Sequence, residues 1–250
     1  MKTRLLFFAL FLSIITSSFG QNYYIGASVG WHQDIFTLSE TNKHLSTKHI
    51  DIINPSANLE FSVLFENGAE VSTGVGYYRF LFTPTMFLLQ PIDNITALST
   101  GLHVAHNAIS IPITGGYNIN LWKKRLLLKV QSGFGFDIYF DEDNGQGEGT
   151  EAHENQSMSN IINFEAPIET HFNVLISNKI SLQYFTKFGM GISIFGAYHA
   201  GLMRVWQNAY GHFDWNNGEE VLDTKIMSNG SYWQFGIELG YKFGKKKKKQ

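Results

Sequence analysis

Hydrophobic residues recur at every second position along most of this chain. From Ser231 to Phe243 the odd positions carry Trp233, Phe235, Ile237, Leu239, Tyr241 and Phe243, and the even ones Tyr232, Gln234, Gly236, Glu238, Gly240 and Lys242. A period of two sends alternate side chains to opposite faces of a strand. A helical period would instead set Glu238 and Lys242 on the face of Trp233, Ile237 and Tyr241, so the segment reads as β.

Seven other segments share the pattern. Tyr23, Ile25, Ala27, Val29 and Trp31 alternate with Tyr24, Gly26, Ser28, Gly30 and His32; Leu59, Phe61, Val63 and Phe65 with Asn58, Glu60, Ser62 and Leu64. Val71, Thr73, Val75 and Tyr77 oppose Glu70, Ser72, Gly74 and Gly76, and Ile109, Ile111, Ile113 and Tyr117 oppose Ser110, Pro112, Thr114 and Gly116. Leu126 to Ile138 sets Lys129, Gln131, Gly133, Gly135 and Asp137 against an apolar face. Ile162 to Ile176 does the same with Asn163, Glu165, Glu169, His171 and Asn173, and Ile180 to Phe195 with Ser181, Gln183, Lys187, Gly189, Gly191 and Ser193. Thr186 and the inward Phe185 and Phe195 are exceptions in the last.

The eight predicted strands are joined alternately by short and long connections. Glu66-Asn67-Gly68, Asn120 to Lys124 and Ser177-Asn178-Lys179 have the length and residue types of hairpin turns. Thr37 to Asn54, Thr83 to Asn107, Asp141 to Asn160 and Ala197 to Gly230 are far longer than hairpin loops. An even number of strands with tight turns at one end and long loops at the other predicts an all-β, eight-stranded antiparallel up-and-down transmembrane β-barrel. Its turns and both termini would be periplasmic and its loops extracellular.

Composition decides which face meets lipid. Only 16% of the 250 residues are charged. Glu60, Glu70, Lys129, Asp137, Glu165, Glu169, Lys187, Glu238 and Lys242 all fall on one face, which is read as the lumen. A secreted or periplasmic barrel would turn the charges outward, and alternation alone does not separate the two. Aromatic placement does: Tyr23 and Trp31 are eight residues apart on the apolar face, as are Trp233 and Tyr241. Eight residues at a tilt near 40° span roughly 20 Å along the barrel axis, close to the ~25 Å apolar band between aromatic girdles.

Residues 1–20 differ in kind. Lys2 and Arg4 precede the apolar run from Leu5 through Ile15, and Ser17, Ser18 and Gly20 close it, the order of a secretory signal peptide cleaved before Gln21. Loss of Lys2 and Arg4 lowers Lys+Arg from 19 to 17 against 21 Asp+Glu. The chain has no Cys, which excludes disulfides, thiolate metal sites and a lipoprotein anchor, and the charge balance of an exported chain excludes a nucleic-acid partner. The expected organisation is a signal peptide over 1–20, a barrel over 21–243 and a lysine-rich tail over 244–250.

With these residues in view the chain resembles the small outer-membrane β-barrel proteins of Gram-negative bacteria, of the OmpA-, OmpW- or PorT-like kind. The resemblance is carried by Ser18-Phe19-Gly20-Gln21, by Ile109-Ser110-Ile111-Pro112-Ile113 with Gly116-Tyr117-Asn118, and by the closing strand Phe235 to Phe243, and it covers Gln21 to Phe243. It implies residence in the outer-membrane lipid. The closing strand, with outward Tyr241 and Phe243, resembles the signal read by the barrel-assembly machinery.

Candidate chemistry is sparse. The acidic loop from Asp141 to Glu154 has Gly145, Gln146 and Ala152 where a calcium loop needs an oxygen ligand, a glycine and a glutamate, so it reads as a solvated loop. His44-Leu45-Ser46 is the nearest match to a His–Ser pair but falls in a loop with no acidic partner, and His103, His106, His199 and His212 read as loop residues without metal-ligand spacing. No catalytic residue, metal or cofactor is expected. Met86, Phe87, Leu88 and Leu89, and Val205, Trp206, Tyr210, Phe213 and Trp215, make loops 83–107 and 197–230 candidate surfaces for an extracellular partner. Lys245 to Lys249 read as a solvated tail or as a contact with anionic headgroups. A lumen filled by its own charges implies a structural or interaction role; the alternative is an OmpW-like narrow channel or binder for small apolar molecules.

Overall fold

Backbone polar groups inside a bilayer must pair with one another, and a sheet meets that requirement only when it closes on itself. The computed structural model of the chain is such a closed sheet; it describes residues 22–39, 45–49, 54–82, 84–88, 99–101, 104–123, 125–140, 162–165, 170–213 and 225–244. The barrel strands are β1 (Asn22–Asp34), β2 (Asn54–Leu64), β3 (Ala69–Phe82), β4 (Val104–Trp122), β5 (Leu126–Phe140), β6 (Phe172–Phe185), β7 (Met190–Gly201) and β8 (Tyr232–Gly244). Each pairs antiparallel with its sequence neighbours, and β1 closes the ring on β8 in a register from Asn22↔Gly244 to Asp34↔Tyr232.

The short turns share one end. Phe65 donates its N–H to the carbonyl of Ala69 at 2.9 Å around Gly68, whose φ of +93° is a conformation that glycine adopts at little steric cost. The β4–β5 turn centres on Lys123. The β6–β7 turn is Thr186-Lys187-Phe188-Gly189, closed by a 2.7 Å bond from Thr186 N–H to the carbonyl of Met190.

That last turn corrects the sequence reading, which placed it at Ser177-Asn178-Lys179. Those three residues lie within β6: Ser177 is buried and Asn178 exposed, and all three hold ladder positions against β5 and β7. A polar lumen needs polar residues in mid-strand, and three in a row look like a turn, whereas the true turn carries an apolar Phe188. The shift displaces the sequence's sixth strand. Ile162–Glu165 is a separate short strand paired with Trp206–Phe213, and Glu165 sits opposite Tyr210 outside the barrel.

The long connections also hold sheet structure that alternation did not disclose. Ile162–Glu165, Trp206–Phe213, Lys225–Ser228 and Thr37–Ser39 form one sheet, and Leu45–His49, Pro84–Leu88 and Ser99–Gly101 form another, so strands from all four loops are paired. Two barrel ladders are irregular: β4 and β5 shift register between Asn120 and Trp122, and the β3–β4 ladder has a gap. β3 pairs with β4 through Thr73↔Ile113 and resumes at Gly76↔Ser110 in the same register, leaving Gly74 and Val75 unpaired opposite Ile111 and Pro112. Pro112 has no N–H to give, and the Thr73 hydroxyl donates to its carbonyl at 3.0 Å.

Candidate functional site in the barrel lumen

The two faces of the wall are opposite in character. Ile25, Val29, Trp31, Leu59, Phe61, Ile113, Phe134, Ile180, Ile194, Ile237 and Leu239 are exposed on the outside, while Ser28, Ser62, Glu70, Ser72, Lys129, Gln131, Asp137, Ser181, Gln183, Ser193 and Glu238 are buried within. Polar groups confined to so narrow a space must satisfy one another.

Many of them do so, in two layers. In the turn-side half, Lys129 on β5 lies 2.6 Å from Glu60 on β2 and 2.5 Å from Glu70 on β3, and Lys179 on β6 lies 2.7 Å from Glu60 and 2.9 Å from Glu238 on β8. The Tyr24 hydroxyl of β1 donates to Glu238 at 2.8 Å. Ser72 donates to Glu70 at 2.9 Å, Asn118 to Glu70 at 2.8 Å and Ser62 to Glu60 at 3.0 Å. The chain Glu70, Lys129, Glu60, Lys179, Glu238, Tyr24 therefore crosses the lumen and ties six strands together. Three carboxylates face two ammonium groups, and hydroxyl and amide donors satisfy part of the excess negative charge. Close backbone approach makes this possible: a Cβ on Gly26 would lie 2.8 Å from the Tyr24 ring, and one on Gly240 would collide with the same ring.

The loop-side half is aromatic. Tyr232 stacks on His199 with ring centroids 4.4 Å apart and lies 4.9 Å from Tyr78, which in turn meets His32 edge-on at 4.8 Å. The Tyr78 hydroxyl donates to Asp137 at 2.6 Å, and His32 contacts Asp34 at 3.2 Å. Between the layers lies a cavity of about 60 Å³ lined by polar groups such as Ser28, Asn58, Ser110, Thr114, Gln131 and Gln234.

The charges named from the sequence are thus distributed unevenly. Glu60, Glu70, Lys129, Asp137 and Glu238 point into the barrel. Lys187 is exposed in the β6–β7 turn, so it is not a lumen charge, and Glu165 belongs to the loop sheet. Lys242 stands at the lumen mouth, its ammonium 5.7 Å from the centre of the Phe185 ring. Glu169, His44, residues 1–21 and residues 245–250 lie outside the described residues. Two histidines read as loop residues are barrel residues instead: His106 and His199 are buried on β4 and β7. Lys179 was missed because its neighbours resemble a turn; its parity with Ser177 and Ser181 was the available signal.

Of the girdle residues, Tyr23 and Tyr241 lie at the turn end, where Tyr23 stacks on Phe61 at 6.2 Å and on Phe243 at 5.6 Å. Trp31 and Trp233 lie at the loop end, where Trp233 packs on Tyr198 at 4.5 Å. The Ser177 hydroxyl is 2.9 Å from His199 Nδ1, the separation of a nucleophile and base, but both are buried beneath Tyr232 in the wall of the filled lumen.

An apolar exterior around a polar, ion-paired interior inverts the plan of a soluble barrel. It defines a transmembrane β-barrel of the outer-membrane type and places the protein in an outer membrane. No protein-family model matches the chain, and no curated protein matches it in sequence. Its fold is similar to that of the outer membrane protein OprG from Pseudomonas aeruginosa, at a TM-score of 0.54 and 11% identity over 90% of this chain and 96% of that one. Neisserial surface protein A follows at a TM-score of 0.42 and 8% identity, covering 88% and 97%, and the outer membrane protease OmpT from Escherichia coli at 0.44 and 9%, covering 91% and 100%. At these identities the likeness is one of fold alone.

Proposed function

We propose that this chain is a non-enzymatic outer-membrane barrel with a closed lumen, acting through its wall and extracellular loops in a structural or interaction role. The observation that carries the reading is the ion-paired chain from Glu70 to Glu238 and Tyr24, which occupies the cross-section that a conducting pore would need. The buried position of Ser177 and His199 supports a role without catalysis, since a substrate would have to displace the aromatic layer to reach them. In the same reading residues 1–20 are removed on export, the barrel-assembly machinery recognises the closing strand, Tyr23, Tyr241, Trp31 and Trp233 set the depth in lipid, and the loop sheets over 83–107 and 197–230 offer the partner surface.

The alternative, a binder or narrow channel for small apolar molecules, has the interrupted β3–β4 ladder in its favour, because Thr73 and Pro112 there adjoin the internal cavity. The small volume of that cavity, about 60 Å³, weighs against it. Planar-bilayer recording tests the choice: the closed reading expects no steady ohmic conductance from the wild type, and a stable conductance would overturn it.

A further inference from the structure

The turn end of the barrel carries a feature that neither the lumen nor the loops use. Lys123 and Arg125 bracket the β4–β5 turn, and Lys187 is exposed in the β6–β7 turn. The two turns are neighbours in space, since Phe185 donates to the carbonyl of Arg125 at 2.8 Å, and the arc continues to β8, where Lys242 donates its backbone N–H to the carbonyl of Gly189 at 2.8 Å. Among the described residues, Lys123, Arg125 and Lys187 enter no ion pair. Among the described turn residues the acid is Glu66, on the neighbouring β2–β3 turn, where Gly68 accepts the N–H of Asn118 at 2.8 Å. The sequence continues from Gly244 at the foot of β8 with Lys245 to Lys249.

Lys123 stands beside an exposed ring, and Lys187 adjoins one in the chain. The Lys123 ammonium lies 5.4 Å from the centre of the Trp122 ring, which is half exposed, and Lys187 precedes Phe188, which at 83% is the most exposed large hydrophobic of the described residues. A turn that served only to reverse the chain in water would have no use for a phenylalanine held out in this way. A ring beside a cation fits one boundary well: the ring enters the acyl edge of a leaflet and the charge reaches its phosphates.

We propose that this arc, formed by Lys123, Arg125 and Lys187 with Trp122 and Phe188, is a docking surface for the phosphate headgroups of anionic phospholipid in the periplasmic leaflet. The proposal rests on the membrane reading above, because a barrel outside a bilayer has no such leaflet at its turns. Surface attraction of this kind corresponds to about a fivefold change in affinity for each cation near an anionic bilayer, and screening by salt should weaken it.

The test uses the full chain folded in micelles that mix phosphatidylglycerol with phosphatidylcholine, released for native mass spectrometry. Wild type should retain phosphatidylglycerol in preference to phosphatidylcholine, and the preference should fall as salt rises. In the K123Q/R125Q/K187Q variant it should fall by at least tenfold, while Arg79→Gln at the other end of β3 leaves it intact. F188S should weaken retention of both lipids alike. Equal retention of the two lipids by the wild type, or an unchanged preference in the triple variant, would overturn the proposal. So would binding to purified peptidoglycan that depends on the three cations while lipid preference does not. Should the triple variant not fold, the wild-type salt titration decides alone, a salt-independent preference counting against the proposal. Failure of the chain to enter micelles or vesicles at all would instead overturn the membrane reading.

Discussion

Lys179 reaches across the lumen to Glu238 at 2.9 Å although the two residues sit on strands that do not pair: β7 lies between β6 and β8. Lys179 also holds Glu60 on β2 at 2.7 Å, on the far side of the ring. The contact is therefore a brace across the barrel rather than a link along its wall. Its energetic character follows from burial, for the Glu238 side chain is only 3% exposed and loss of its cation would leave a carboxylate with a single tyrosine donor.

Breaking that brace should be costly from either side. Lys179→Met or Glu238→Gln is expected to destabilise the barrel by about 3–5 kcal/mol, and the double variant by less than the sum, with a coupling of about 0.5–3 kcal/mol. Lys187→Gln, in an exposed turn, should change stability by no more than about 0.5 kcal/mol. Reversible urea unfolding in micelles measures all four, and a zero coupling would mean that both charges are solvated in an open channel.

The outer face should respond to charge according to depth. Ile237 is near the middle of β8 and faces outward, so Ile237→Arg is expected to cost about 2–4 kcal/mol. Phe243→Arg, at the turn-end rim, should cost about 0–1 kcal/mol in the same folding assay. Equal costs would show that the band does not lie where β8 places it.

Gly240 should tolerate no side chain while Tyr24 keeps its place. A methyl group there meets the Tyr24 ring that caps Glu238, so Gly240→Ala is expected to cost about 1–3 kcal/mol. The cost should shrink in a Tyr24→Ala background, where the ring clash is gone and only the approach to the Ile25 carbonyl, 2.6 Å, remains. An undiminished penalty would locate the strain elsewhere.

Closure of the ladder between β1 and β8 leaves no free edge at which detergent could begin to unzip the sheet. Unboiled and boiled samples should accordingly migrate differently in detergent electrophoresis, and the folded form should fractionate with outer membranes. Identical migration, with recovery only in the soluble periplasm, would contradict the membrane assignment.

How much of this was legible beforehand depends on the range of the interaction concerned. The lipid-facing and lumen-facing sides of β8, from Trp233 to Phe243, followed from the sequence because strand geometry fixes side-chain direction residue by residue, and a bilayer enforces the alternation at each one. The turn at Gly68 followed for the same local reason. The β6–β7 turn did not: a lumen that must be polar puts Ser177, Asn178 and Lys179 into mid-strand, where they carry the composition of a turn, and only ladder pairing with β5 and β7 distinguishes the two. Partner choice lay further out of reach. Glu60, Glu70, Lys129 and Glu238 could be assigned to the interior by parity, but Lys129 with Glu60 and Lys179 with Glu238 are neighbours only because the barrel closes and brings opposite walls together. The strand faces and the class of architecture were readable from the chain alone, since those are set by local periodicity against lipid. Which charges meet, and that they bar the lumen, was decided by the tertiary structure, because contacts across a closed ring depend on register and strand order, which no single strand encodes.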